Sequence, residues 1–142
     1  MIAETETPDP TPTCYTAIRD EAIRTELASS LSKLGWRVVE RQTGFHLVEA
    51  LADVILEQAP RPAIGMVVVD ERSPGCRGSS IARGLRELGI EVPVTVIAQR
   101  ELAPAIAPDE RIYVVEPEAA ATTIPSIARD HLPLPPELRG AA

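Results

Sequence analysis

Aromatic side chains are scarce in this chain: one Phe, one Trp and two Tyr among 142 residues, or 3%. Since 44% of the residues are apolar, the core must be built from Val, Ile, Leu and Ala rather than from rings. Cysteine is nearly as rare. Cys14 and Cys76 stand apart with neither CxxC nor zinc spacing, so both are expected to be free thiols. His46 and His131 match no ligand motif, which argues against a metal site built on them. No cluster of Lys and Arg stands out against a formal charge of −7, so no nucleic-acid partner is expected. No apolar run approaches the length of about 20 residues that spans a bilayer, and the first residues lack a basic stretch leading into an apolar one. Membrane insertion is therefore not expected, and a cytoplasmic location is. Neither GxGxxG nor GxxxxGK[ST] occurs, which leaves a phosphate-type small ligand at the strand ends without support. There is no internal repeat, and the length suits one domain.

What is present falls into three segments. Residues 1–13, "MIAETETPDPTPT", are acidic and Pro-rich and are expected to form a flexible arm. Residues 133–142 are expected to form a similar C-terminal tail, leaving a domain over residues 14–132. Within that domain, strand-like and helix-like patterns alternate. "CYTAI" is a short β-prone run, followed by a helix with Ile23, Leu27, Leu31 and Leu34 on one face, Asp20 as N-cap and Gly35 as stop. "WRVVE" is the second strand. The second helix places Leu47, Leu51, Val54 and Ile55 together and is expected to end at Pro60 and Pro62. "AIGMVVVD" runs apolar without alternation, as expected of a parallel strand covered on both faces. A third helix sets Ile81, Leu85 and Leu88 on one face and stops at Gly89. "VPVTVIA" and "RIYVVEP" are the fourth and fifth strands. In the last helix Pro125 either makes a kink or sits at the first helical position. This order predicts a layered α/β sheet with right-handed crossovers and functional groups beyond the carboxyl ends of the strands.

Asp70 lies at such an end. The stretch "VVVDERSPGCRG", a buried strand closing on Asp and followed by a Pro-Gly turn, resembles the core signature of response-regulator receiver domains. "IARGLREL" and "VPVTVIAQ" keep that family's spacing, "IRTELASSLSKLGWRVVE" resembles its first helix and second strand, and the similarity covers roughly Cys14 to Leu132. The resemblance implies a flavodoxin-like (CheY-like) three-layer α/β/α fold with five parallel strands in the order 2-1-3-4-5. The segment "QRELAPAIAPDER", with Pro104 and Pro108, leaves the fourth helix short or missing.

The same resemblance makes Asp70 the phospho-acceptor position. An aspartate accepts a phosphoryl group when a divalent ion neutralises the developing charge, and magnesium asks for several oxygen ligands. The ungapped alignment puts Ile18 and Arg19 where the family carries its acidic pair; a register shifted by two would bring Asp20 and Glu21 there instead. On the ungapped reading Arg19 would pair with Asp70 and hold it ionised without metal. The hydroxyl of the fourth strand is replaced by Ala98, and Thr95 lies on the opposite face. The lysine of the fifth strand is replaced by Glu116, expected near Asp70, where its charge opposes a dianionic adduct. Tyr113 matches the aromatic switch position. Arg72 and the Pro74–Gly75 turn are expected to be ordinary loop residues.

These substitutions imply an atypical receiver without enzymatic activity, acting in a bacterial-type signalling or localisation pathway by protein–protein interaction. No metal or cofactor is expected on this reading. The partner would be another signalling or localisation protein, or a second copy, meeting the face of the fourth and fifth strands and last helix. The alternative is a conventional regulator phosphorylated on Asp70 by a histidine kinase in a phosphorelay, with magnesium on Asp70, Asp20 and Glu21.

Overall fold

A computed structural model of the chain describes residues 12–56, 64–103 and 111–132. Five strands, β1 (Thr13–Ala17), β2 (Arg37–Glu40), β3 (Ile64–Asp70), β4 (Val94–Ile97) and β5 (Ile112–Val115), form one sheet in the order β2-β1-β3-β4-β5. All neighbouring pairs are parallel. Four helices complete the fold: α1 (Glu21–Lys33), α2 (Gly44–Leu56), α3 (Gly78–Glu87) and α4 (Pro117–Asp130). This is the expected sheet order. The first strand starts at Thr13 rather than Cys14, because Thr13 aligns with both Arg37 and Ile64 and is fully buried.

The unalternating β3 sequence has the expected cause. Val67 and Val69 face a cluster with Leu47 and Leu51 of α2 and Ile81 and Leu85 of α3. Met66 and Val68 face the opposite cluster, with Leu27 and Leu31 of α1 and Ala120, Ile124 and Ala128 of α4. Both faces of the strand are thus removed from water. The side chain of Trp36 closes the second cluster, its indole N–H donating to the carbonyl of Ala128 at 3.2 Å.

Most of the expected helix signals hold. Asp20 caps α1, and Gly35 and Gly89 follow the C-caps of α1 and α3 with φ of +102° and +79°, a conformation that glycine adopts without strain. One expectation changes, and one alternative is decided. Leu88 does not join the buried face of α3, because it is the C-cap residue and remains 63% exposed. Pro125 lies inside α4, while the first helical position is taken by Pro117, whose fixed φ suits it. Between β4 and β5, Gln99 to Ala103 form a turn closed by the Leu102 amide on the Gln99 carbonyl at 2.9 Å. Pro60, Pro62, Pro104, Pro108 and the C-terminal tail lie outside the described residues, as does the arm before Pro12.

Candidate functional site at the carboxyl edge of the sheet

The parallel registers bring Ala17, Asp70, Ile97 and Val115 to one edge, where the chain leaves each strand. A cavity of about 410 Å³ opens there, lined among others by Arg19, Asp20, Asp70, Arg72, Ala98 and Gln99. Asp70 ends β3 on the same face as Met66 and Val68 and is half-buried. One of its carboxylate oxygens accepts the backbone N–H of Arg19 at 2.5 Å. The Arg19 guanidinium does not bind that carboxylate; it donates to the carbonyl of Arg72 at 3.3 Å. Arg19 therefore spans the site, with its main chain on the acceptor-position Asp and its side chain on the loop after β3.

The charge of Asp70 is not held as expected. Burial raises its carboxyl above the ordinary value of 3.8, the hydrogen bond from the Arg19 amide and the Arg19 charge draw it down, and the charge of Asp20 raises it further. Desolvation is the largest of these influences. What is corrected is the expected direct pairing: Arg19 meets Asp70 through its amide and its charge, not through a guanidinium–carboxylate contact.

The two acid-pair positions part company. Ile18 is 1% exposed and belongs to the core between α1 and α4. Its carbonyl accepts from Arg24, which also lies 3.6 Å from Glu40. Arg19 faces the cavity. In the shifted register, Asp20 also faces the cavity, but one of its oxygens accepts the Ile23 amide at 2.9 Å as the helix cap. Glu21 is exposed in the first turn of α1, and the described residues hold no group of three acids, His or Cys that would enclose a metal. A magnesium ion would find one oxygen of Asp70 and the Arg72 carbonyl already engaged by Arg19, and Ile18 offers no side-chain ligand. As arranged, this donor set does not fit the ion.

Ala98 is buried and presents a methyl group where a hydroxyl was sought, while its amide donates to the Val115 carbonyl at 2.9 Å. Thr95 is fully buried three residues earlier. Glu116 departs from expectation. It precedes α4 and turns to the solvent, 3.5 Å from Arg100, and Pro117 rather than Glu116 lines the cavity. Its charge is thus balanced by Arg100 and is absent from the influences on Asp70. Tyr113 meets His131, hydroxyl to Nε2 at 3.0 Å, with ring centroids 6.0 Å apart.

Sequence reasoning missed several of these partners. His131 and Arg100 lie 18 and 16 residues from the groups they meet, and no local spacing announces such pairs. Glu71 was missed as well. It is 6% exposed, and its carboxylate accepts both the amide and the hydroxyl of Ser79, at 2.7 and 2.8 Å, capping α3 from the end of β3. The loop between them is pressed by α2: the Phe45 amide donates to the Pro74 carbonyl, and a Cβ on Gly44 would lie 2.2 Å from the Cys76 carbonyl oxygen. Gly75, with φ of +85°, lets the turn close against Phe45. Cys76 has its thiol pushed up by burial, which agrees with an unreactive residue.

No protein-family model matches the chain, and no curated protein sequence does. Solved structures do. A response-regulator receiver domain protein from Clostridium thermocellum superposes with a TM-score of 0.69 at 12% identity, over 85% of this chain and 94% of that one. A receiver domain protein from Bacillus halodurans gives 0.65 at 16%, over 87% and 99%. The receiver domain of a sensor histidine kinase from Pseudomonas aeruginosa, with magnesium in its active-site cleft, gives 0.59 at 19%, over 85% and 97%. With its sheet order, its cavity at the carboxyl edge and Asp70 beside it, the chain has the fold of the response-regulator receiver domains.

Proposed function

We propose that this chain is an atypical receiver module that acts in signal transduction by binding another protein, without magnesium-dependent phosphorylation of Asp70. The observation that carries this reading is the double engagement of Arg19. Its amide holds the Asp70 carboxylate and its guanidinium holds the Arg72 carbonyl, so a fixed cation stands where a dissociable one would be needed. Two further contacts support it. Tyr113 is tied to His131 at the end of α4, and Glu116 is tied to Arg100, so neither is poised to follow an event at Asp70. The module is then a non-enzymatic one, held in one state or switched by its partner. The partner is a signalling or localisation protein, or a second copy, and the expected meeting place is the face of β4, β5 and α4. No helix of the described residues is long and apolar enough to cross a membrane, which suits action in the cytoplasm.

Incubation with acetyl phosphate and magnesium, followed by intact mass measurement, tests the reading. The expected outcome is no phosphoryl adduct on the wild-type chain. Stoichiometric addition that disappears in Asp70→Asn would restore the conventional phosphorelay regulator, modified by a histidine kinase. The triple change Arg19→Asp, Ala98→Thr and Glu116→Lys is expected to create measurable magnesium affinity by calorimetry.

A further inference from the structure

A second opening, more apolar in its lining than the cavity at Asp70, lies away from that edge. Between α2 and α3 runs a groove of about 360 Å³, whose walls include Val48, Ala52 and Ile55 on one side and Ile81, Gly84 and Leu88 on the other. Val48 is 40% and Leu88 63% exposed, so apolar side chains stand at its mouth without cover from the described residues. On the β5 side Val114 is the one exposed large apolar residue among those described.

Gly84 is the informative position. It sits inside α3, where glycine is the poorest helix former after proline, and a Cβ built there would meet open space. Nothing among the described residues requires its lack of a side chain. Ser80 lies one turn earlier and lines the same groove. Two small residues at this spacing lower one wall and let a foreign backbone approach. The lining positions on each helix span eight to nine residues, about 12 Å, which matches two to three turns of a third helix.

Charge selects among occupants. The exposed charged residues of these two helices are Glu49, Asp53, Arg83 and Glu87, three acids against one base. Arg86 is drawn onto the carbonyls of Ile90 and Val92. A second copy seated here would set like charges against each other, on molecules of net charge −7. The stretch before Pro12 carries Glu4, Glu6 and Asp9, and the stretch after Leu132 carries Pro133, Pro135 and Pro136, so neither supplies a basic helix. We infer that the α2–α3 groove is a docking site for a short amphipathic helix of a partner protein, with an apolar stripe seated over Gly84 and Lys or Arg along its flank. The inference names a partner surface other than the β4–β5–α4 face, and it holds whether or not Asp70 is ever phosphorylated.

The test uses a fluorescent, helix-stapled peptide of about 14 residues with Leu on one face and Lys on the other, and its twin with Glu for Lys. Binding of the Lys peptide to the full chain is expected, with amide resonances shifting along α2 and α3. Gly84→Leu fills the groove without changing charge and removes a helix-breaking residue, so it is expected to fold and to bind at least about tenfold more weakly. The Glu twin is expected to bind at least about tenfold more weakly as well. Equal binding by Gly84→Leu, equal binding of the two peptides, or no binding of either overturns the inference. So does a wild-type dimer in sedimentation that Gly84→Leu dissolves, since the occupant would then be a second copy.

Discussion

The layer of α1 and α4 and the layer of α2 and α3 cover the same five strands, but small residues serve opposite ends in them. In the first, Ala120 and Ala128 are fully buried and draw α4 against the core beside Leu27 and Leu31, and Trp36 seals the contact with its bond to Ala128. In the second, Ser80 and Gly84 face a groove that no side chain of the described residues fills, and Leu88 stands exposed beside it. Among the described residues one layer is finished, and the other is left open. The same residue sizes therefore carry different meaning depending on whether a neighbour within the chain uses the space they leave.

The contrast is open to direct attack. The largest effect is expected from paired truncations: Ile124→Ala in the closed layer should lower stability by about 3 kcal/mol, because it empties a fully buried site. Leu88→Ala in the open layer should change it by about 0.5 kcal/mol or less. Urea unfolding of both variants gives the comparison, and similar losses would erase the distinction between the layers. A smaller effect of opposite sign is expected from Gly84→Ala, a gain of about 1 kcal/mol in the same assay. A loss there would mean that the chain itself occupies the groove.

The smallest effect concerns the strand end that shares its face with the closed layer. Asp70 has a folded-state pKa raised above its ordinary 3.8, so the folded state binds its proton more tightly than the unfolded state does. The ionised group therefore opposes folding at pH values above the raised pKa, and this penalty fades as pH falls toward 3.8. Asp70→Asn should raise the melting temperature by about 2 °C at neutral pH, with the gain shrinking on acidification. A melting temperature lowered at pH 7 would show that the Arg19 hydrogen bond outweighs desolvation.

How much of this was legible beforehand follows the range of the forces involved. Strands and helices could be placed from local periodicity: the apolar run of β3, the four-residue step from Leu27 to Leu31, and the stops at Gly35 and Gly89 all act within a few residues. Asp70 could be placed at the sheet edge because a parallel strand must end there. Leu88 was misplaced because a helical face predicts direction, not whether the neighbouring helix is close enough to cover it. Glu116 was misplaced because its orientation depends on Arg100, across a loop whose path the sequence does not specify. Arg19 was half legible: its position at the site followed from alignment, but the choice between carboxylate and carbonyl for its side chain is decided by geometry alone.

The hydrogen bonds of Glu71 give the loop after β3 a mechanical property. Residues 71 to 79 are fastened at both ends by one carboxylate, pinned near the start by the Arg19 side chain and pressed in the middle by Phe45 and Gly44. A segment restrained at so many points has no slack. It cannot swing toward or away from the strand end, and the Ser79 amide should exchange with deuterium as slowly as the β3 amides beside it. Anything that settles on this edge would then meet a preformed loop, and the lifetime of such a contact would follow the residence time of what binds rather than any relaxation of the loop itself.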